Sequence, residues 1–220
     1  MSVEERFERL SALPMRSLAP AGPALGALPS RVRAVVAHRE LLGLLTRRDL
    51  EVRFRGSALG FLWTLIKPLI MLATFYFVLG EILGAARGME NFGIYVFSGL
   101  TIYALFSESI GAAAGSFVSN AGLVKKIYVP REIFPLAAIG GAIFMFATQL
   151  LVLVGAIIVF QQWPDPAGLL YFLPSVTLIL IYVLAIGLII SVLNVYLRDV
   201  QYLTEILLML MMWGSPIVYS

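Results

Sequence analysis

An all-α polytopic membrane protein is the fold class this sequence predicts, with five transmembrane helices behind an N-terminal amphipathic interface helix. Three observations predict it. The 220 residues are 60% hydrophobic and 13% charged, where a soluble domain runs at roughly 45–50% apolar and about 25% charged. Five apolar runs, at 61–83, 92–116, 134–160, 169–197 and 200–219, are each long enough for a hydrocarbon core, which takes about 20 residues of helix. Strand-period alternation is absent, which argues against a barrel.

The ends of the chain are assigned by charge. Eleven of the sixteen Lys and Arg residues lie at or before Lys67, three more (Lys125, Lys126, Arg131) fall between runs two and three, and Arg198 sits between runs four and five. Positive-inside bias therefore places the N-terminus and both of those connections in the cytoplasm of a multi-pass inner-membrane protein. The loops 84–91 and 161–168 then face outward. Cysteine is absent and His38 is the single histidine. That removes thiol and zinc–thiolate chemistry and leaves no metal cluster or Ser–His–acid set to build.

Residues 1–35 carry Glu4, Glu5 and Glu8 where a signal peptide needs bases, and then a stretch rich in Pro, Ala and Gly. They read as a flexible cytoplasmic tail. Residues 36–56 read as the interface helix. Leu41, Leu42, Leu44 and Leu45 supply its apolar side, and Arg47, Arg48, Asp49, Arg53 and Arg55 its charged side. Such a helix suits the lipid headgroup layer, or serves simply as a positive-inside anchor. Residues 57–220 form the transmembrane domain. Its fourth run, at 29 residues, reaches about 43 Å, more than the roughly 30 Å core, and Pro174 allows a kink near its outer end.

Charges inside spans are costly, about 2.5–3.5 kcal/mol each on insertion scales. Lys67 and Glu108 lie at similar depth, roughly 9–12 Å in, and are candidates for an ion pair or for a wet cavity. Lys67 also has the length to snorkel to the interface, whereas Glu108 does not. Asn194 and Gln149 suit interhelical hydrogen bonds, and the small residues of "GAAAG" at 111–115 suit close helix approach. Tyr95, Tyr103 and Phe106, with Phe92, recur along the second run at near-helical spacing. They have two readings: stacking faces for sugar rings along a channel, or ordinary helix-packing and lipid-facing aromatics.

The connection "NAGLVKKIYVPREIFPLA" at 120–137 packs bases, an acid and two prolines between apolar runs. Asn120 (or Ser119) is a fair N-cap for a short helix in which Leu123, Val124 and Ile127 form an apolar side. Pro130 and Pro135 end it and restart the chain as the third span. Lys125, Lys126, Arg131 and Glu132 flank that side. The arrangement suits docking on a soluble protein, or attraction to anionic lipid.

Four segments in order carry a resemblance: "LLTRRDLEVRFRGSALGFLWTLIKPLIML", "SNAGLVKKIYVPREIFPLA", "NVYLRDV" and the final "SPIVYS". Over about 41–220 the chain resembles the permease subunit of type-2 ABC exporters, the branch that moves O-antigen, capsular polysaccharide or teichoic acid. The resemblance implies an interface helix at 40–55, an ATPase-coupling element at 120–132, and an Arg198–Asp199 pair opening the fifth span. It also implies a permease homodimer that passes a lipid-linked glycan, with ATP and Mg held by a separate ABC ATPase and no cofactor on this chain. Besides the ATPase, the second permease copy, the glycan and membrane lipids, no nucleic-acid partner is expected. Members of that family continue into re-entrant gate helices and a sixth span, so a chain ending at Ser220 reads as a truncated permease. The alternatives are a type-2 permease for a drug or lipid, or a membrane scaffold or enzyme. The enzyme reading lacks an acid pair or a metal-ligand set.

Overall fold

The computed structural model describes residues 28–57, 59–74, 76–78, 92–126 and 129–217. The chain divides into two units, Met1–His38 and Arg39–Ser220. In the first, helix α1 covers Leu28–Ala37, so the last part of the expected flexible tail is helical. The reason is local. Pro29 sits in the first turn, where a missing N–H costs nothing, and no proline or glycine follows until Gly43. His38 closes the helix, its Nδ1 lying 2.8 Å from the Ala34 carbonyl.

The second unit is a helical bundle. The interface helix α2 spans Arg39–Phe54. A 3-10 turn at Gly60–Leu62 leads into α3, Trp63–Thr74. Then come α4 (Phe92–Ser119), α5 (Ala121–Lys126), α6 (Ile133–Val159), α7 (Pro166–Tyr196) and α8 (Asp199–Gly214). No strand occurs among the described residues. Among the described residues, four stretches are long and apolar enough to cross a membrane: Gly60–Val78, Phe92–Ser119, Ile133–Val159 and Gly168–Tyr196.

The fifth expected span is not met. α8 has 16 residues and reaches about 24 Å, short of the roughly 30 Å core. It stops at Gly214 because Ser215 precedes Pro216, and a residue before proline is pushed out of the helical region; Ser215 is extended. In α7, by contrast, Pro174 does not end the helix, which runs through it for 31 residues. Pro166 stands at its start, where its fixed φ favours helix.

α4 is the central helix and touches α3, α5, α6, α7 and α8. It is apolar on several sides, each with a partner. Phe97 meets Val152 and Leu153 of α6, while Ile110 and Ala113 meet Ile139 of α6, Val183 of α7 and Leu208 of α8. Phe92, Val96 and Leu100 pack with Ile217. Within "GAAAG", the residue that meets α7 closely is Ala113 rather than Gly111. A Cβ on Gly187 would lie 3.0 Å from the Ala113 Cβ, whereas one on Gly111 would meet nothing within 4 Å. Small residues do bring the helices together, but the glycine that matters is on the other helix.

α6 ends without a glycine. Gln161 adopts φ 55°. Its N–H donates to the Ile158 carbonyl at 3.3 Å, and the Gln162 N–H donates to that of Ile157 at 3.0 Å. That is the Schellman closure, in which a left-handed residue turns the last carbonyls onto donors beyond the helix.

Candidate functional site

Two cavities that contain charged side chains adjoin the place where α2 meets α4, α5 and α6. Leu45 of α2 is buried, and Thr46 Oγ1 lies 3.0 Å from the Leu42 carbonyl and 3.2 Å from that of Ala137 in α6. The approach is close because position 140 lacks a side chain: a Cβ there would stand 3.0 Å from Thr46 Oγ1. Leu44, counted on the apolar side from sequence, is instead exposed. The azimuth that buries Leu45 on α6 turns its neighbour, about 100° away, outward.

Docked this way, α2 puts its charges to separate uses. Arg47 pairs with Glu51 at 2.8 Å on the exposed side. Arg48 places Nε and Nη2 on Asp49 Oδ1, at 3.0 and 2.6 Å. The same Nη2 also donates to Asn120 Oδ1, at the junction of α4 and α5. Asn120 is buried, and its Nδ2 donates to the Ser116 carbonyl at 2.9 Å. Its expected capping role is therefore not found. The side-chain oxygen is taken by Arg48, and the Leu123 and Val124 N–H groups donate to the backbone carbonyl of Asn120 at 2.9 and 3.0 Å. Arg55 is exposed just beyond α2.

From Asn120, α4 carries Ser116, Ala112 and Glu108 at four-residue steps, one face of a helix. This face lines a cavity of about 180 Å³ together with Asp49 and Arg53 of α2. A larger cleft of about 610 Å³ continues from it along α3, α4 and α6, lined by Ser57, Trp63, Thr64, Lys67, Thr101 and Gln149 among others. Arg53 and Glu108 border both spaces. The structure thus brings Lys67 and Glu108 to one wet cleft, as the sequence suggested, but not into an ion pair. The ion pairs within 4.0 Å on α2 join Arg47 to Glu51 and Arg48 to Asp49 instead. Nor is Lys67 the leading partner of Glu108. Arg53 shares both spaces with Glu108, whereas Lys67 lines only the larger. Sequence reasoning passed over Arg53 because it sits on another element, 55 positions before Glu108. With Arg53 and Lys67 both lining it beside the one acid, the larger cleft can hold water and anionic groups.

The aromatic set does not converge on that cleft. Tyr103 donates its hydroxyl to the Leu208 carbonyl of α8. Phe106 stacks on Tyr182 of α7, with centroids 6.2 Å apart and planes at 23°. Both fasten helices together on the opposite side of α4. Tyr95 is exposed, beside a separate groove with Trp163 and Phe172. The helix-packing reading thus holds for Tyr103 and Phe106, and the single channel-lining stripe is not found. Near-helical spacing placed these residues on one element, but a helix with neighbours all round sends each to a different partner.

The connection at 120–132 is built as a short helix and a turn. In α5, Leu123 and Val124 are half-buried and Lys125 and Lys126 exposed; beyond it Arg131 is exposed and Pro130 and Glu132 half-buried. Ile127 lies outside the described residues. At the α7–α8 turn, Arg198 and Asp199 are both exposed, and Asp199 falls in the first turn of α8, where a negative charge suits the helix dipole. That turn is held by Asn194, buried, whose Nδ2 donates to the Ala114 carbonyl at 2.8 Å while its Oδ1 accepts the Gln201 N–H at 3.2 Å.

A family model described as ABC-2 type transporter matches residues 40–220. An O-antigen export system permease protein RfbA from Myxococcus xanthus is 30% identical over 189 residues, which is 86% of this chain and 71% of that protein. One of the same name from Klebsiella pneumoniae is 28% identical over 182 residues, covering 82% and 69%. The capsule polysaccharide export inner-membrane protein CtrC of Neisseria meningitidis serogroup B is 26% identical over 167 residues, covering 71% and 59%.

Proposed function

The chain belongs to the ABC-2 type transporter membrane family, and from that premise we propose that it is the permease subunit of an exporter moving lipid-linked polysaccharide of the O-antigen or capsule kind. ATP and Mg bind a separate ATPase, and two permease copies enclose the path. The N-terminus, the 120–132 element and the Arg198–Asp199 turn face the cytoplasm, and the teichoic-acid branch belongs to the same reading.

The observation that supports it best is the bond from Arg48 to Asn120. A push on α5 reaches α2 through a charge-assisted hydrogen bond and reaches α4 through the Asn120–Ser116 bond. α4 touches every other membrane helix of the bundle. Force applied at one short element is thereby distributed to the whole permease, as rigid-body gating requires. Lys125, Lys126 and Arg131 steer the partner, whereas Leu123 and Val124, half-buried, hold α5 on its base and offer their outer edges to the contact.

Pull-down of the partner ATPase by the full-length chain tests the reading. Lys125→Glu with Lys126→Glu should lower capture at least tenfold, and Leu123→Asp should abolish it, both at unchanged membrane abundance. Capture equal to the parent by both variants would remove 120–132 from the ATPase interface.

A further inference from the structure

The larger cleft beside α2 has two chemically different ends. Near α2 it is lined by Arg53, Lys67 and Glu108, and at the far end by Met71, Phe97 and Leu100. The order follows from the helices. Phe97 lies 11 residues before Glu108 on α4, about 16 Å along the axis. Leu72 of α3 packs against Phe97, which sets Met71 at the apolar end and Lys67, one turn earlier, toward α2. Lys67 stands seven residues inside the stretch Gly60–Val78, where an unmatched charge is costly. Among the described residues, no carboxylate lies within 4.0 Å of Lys67 or Arg53.

We propose that this cleft holds a lipid phosphate, with the phosphate group between Arg53 and Lys67 and one hydrocarbon chain along Met71, Phe97 and Leu100. An arginine fork and a lysine point charge are a pair that suits phosphate oxygens. A basic mouth between membrane helices takes a lipid headgroup, and the apolar end favours an amphiphile over a free ion. The cleft, at about 610 Å³, has the size of a site for one small ligand, for which the range is roughly 300–1,000 Å³. Glu108 tunes the mouth by opposing the anion, so that two cations are needed to hold it. A phosphate of this kind comes from a membrane phospholipid or from the lipid anchor of an exported chain, and the cleft recognises what they share. Only the second source rests on the function proposed above. The site itself rests on α3, α4 and α6 crossing the membrane, so it stands or falls independently of ATPase capture at 120–132.

The full-length protein in detergent is mixed with phosphatidylglycerol, phosphatidylcholine or farnesyl phosphate, and retained lipid is counted by native mass spectrometry. Phosphatidylglycerol should be retained about tenfold more than phosphatidylcholine, whose choline cation offsets its phosphate. Lys67→Gln and Arg53→Gln should each lower that retention about fivefold. Met71→Trp, which fills the apolar end, should lower it by about the same factor with both cations in place. Glu108→Gln should raise it about threefold. Arg55→Gln is the control, because Arg55 borders a different groove, and it should change nothing. Preference for farnesyl phosphate over phosphatidylglycerol assigns the cleft to the anchor of the exported chain, and the reverse preference assigns it to the bilayer; each is a lipid phosphate. Equal retention of phosphatidylglycerol and phosphatidylcholine would overturn the site. So would a loss in Arg55→Gln as large as in Lys67→Gln, or a loss in Glu108→Gln.

Discussion

Asn120 satisfies both ends of its side-chain amide inside the protein, one on Ser116 of its own helix and the other on Arg48 of α2. Removing it leaves a guanidinium with Asp49 alone, while the Ser116 carbonyl keeps the backbone N–H of position 120 and the Ser119 hydroxyl as donors. Asn120→Ala should therefore cost about 1.5–3 kcal/mol, the range for hydrogen bonds to charged groups. In a double-mutant cycle with Arg48→Ala, followed by thermal unfolding in detergent, the combined loss should fall short of the sum by about 1 kcal/mol. Glu108 invites the same treatment. Its coupling to Arg53 should exceed its coupling to Lys67, since Arg53 shares both cavities with Glu108 and Lys67 lines only the larger. Cycles of Glu108→Gln with Arg53→Met and with Lys67→Met measure the two, and the reverse order would reinstate Lys67 as the principal partner.

At the scale of the element, the end of α6 holds a residue in a conformation that L side chains resist. Gln161, at φ 55°, occupies the position that glycine usually takes in a Schellman closure, at a cost of about 1–2 kcal/mol. Gln161→Gly should raise the stability of the full chain by about 1 kcal/mol, read as a higher unfolding temperature. Gln161→Ala, which keeps the Cβ, should give no gain. The helix ends elsewhere follow the local chemistry more plainly: Pro166 opens α7, and the Ser215–Pro216 pair closes α8.

The second unit is a central helix with helices around it, and its sidedness is expected from charge. Lys125 and Arg198 should be accessible from the cytoplasm and Asp165 from outside. Single cysteines at these three positions, exposed to a membrane-impermeant maleimide in intact cells, should react only at Asp165. Reaction at Lys125 before permeabilisation would invert the topology. The large exposed apolar area on α7, with Leu170, Leu173 and Leu178 each about 70% exposed, has lipid as its natural solvent in this arrangement.

The apolar runs by themselves determined the class of fold, the start of the first membrane span and the extents of α4, α6 and α7 to within a few residues, and the local chemistry of the connection determined the short basic helix at 121–126. Each depends on quantities that a chain carries locally: length against bilayer thickness, proline against helix, charge against hydrocarbon. The end of α8 was legible too, in Ser215–Pro216, but apolar residues on both sides masked it. Only the tertiary structure decided what the polar residues touch. That Asn120 binds Arg48 rather than capping α5, that Glu108 answers to Arg53 before Lys67, and that Tyr103 and Phe106 fasten α8 and α7 all depend on the rotation of each helix about its own axis. In a chain that is apolar on nearly every side, helical period alone does not single out one buried face, so those rotations are set by packing between helices far apart in sequence.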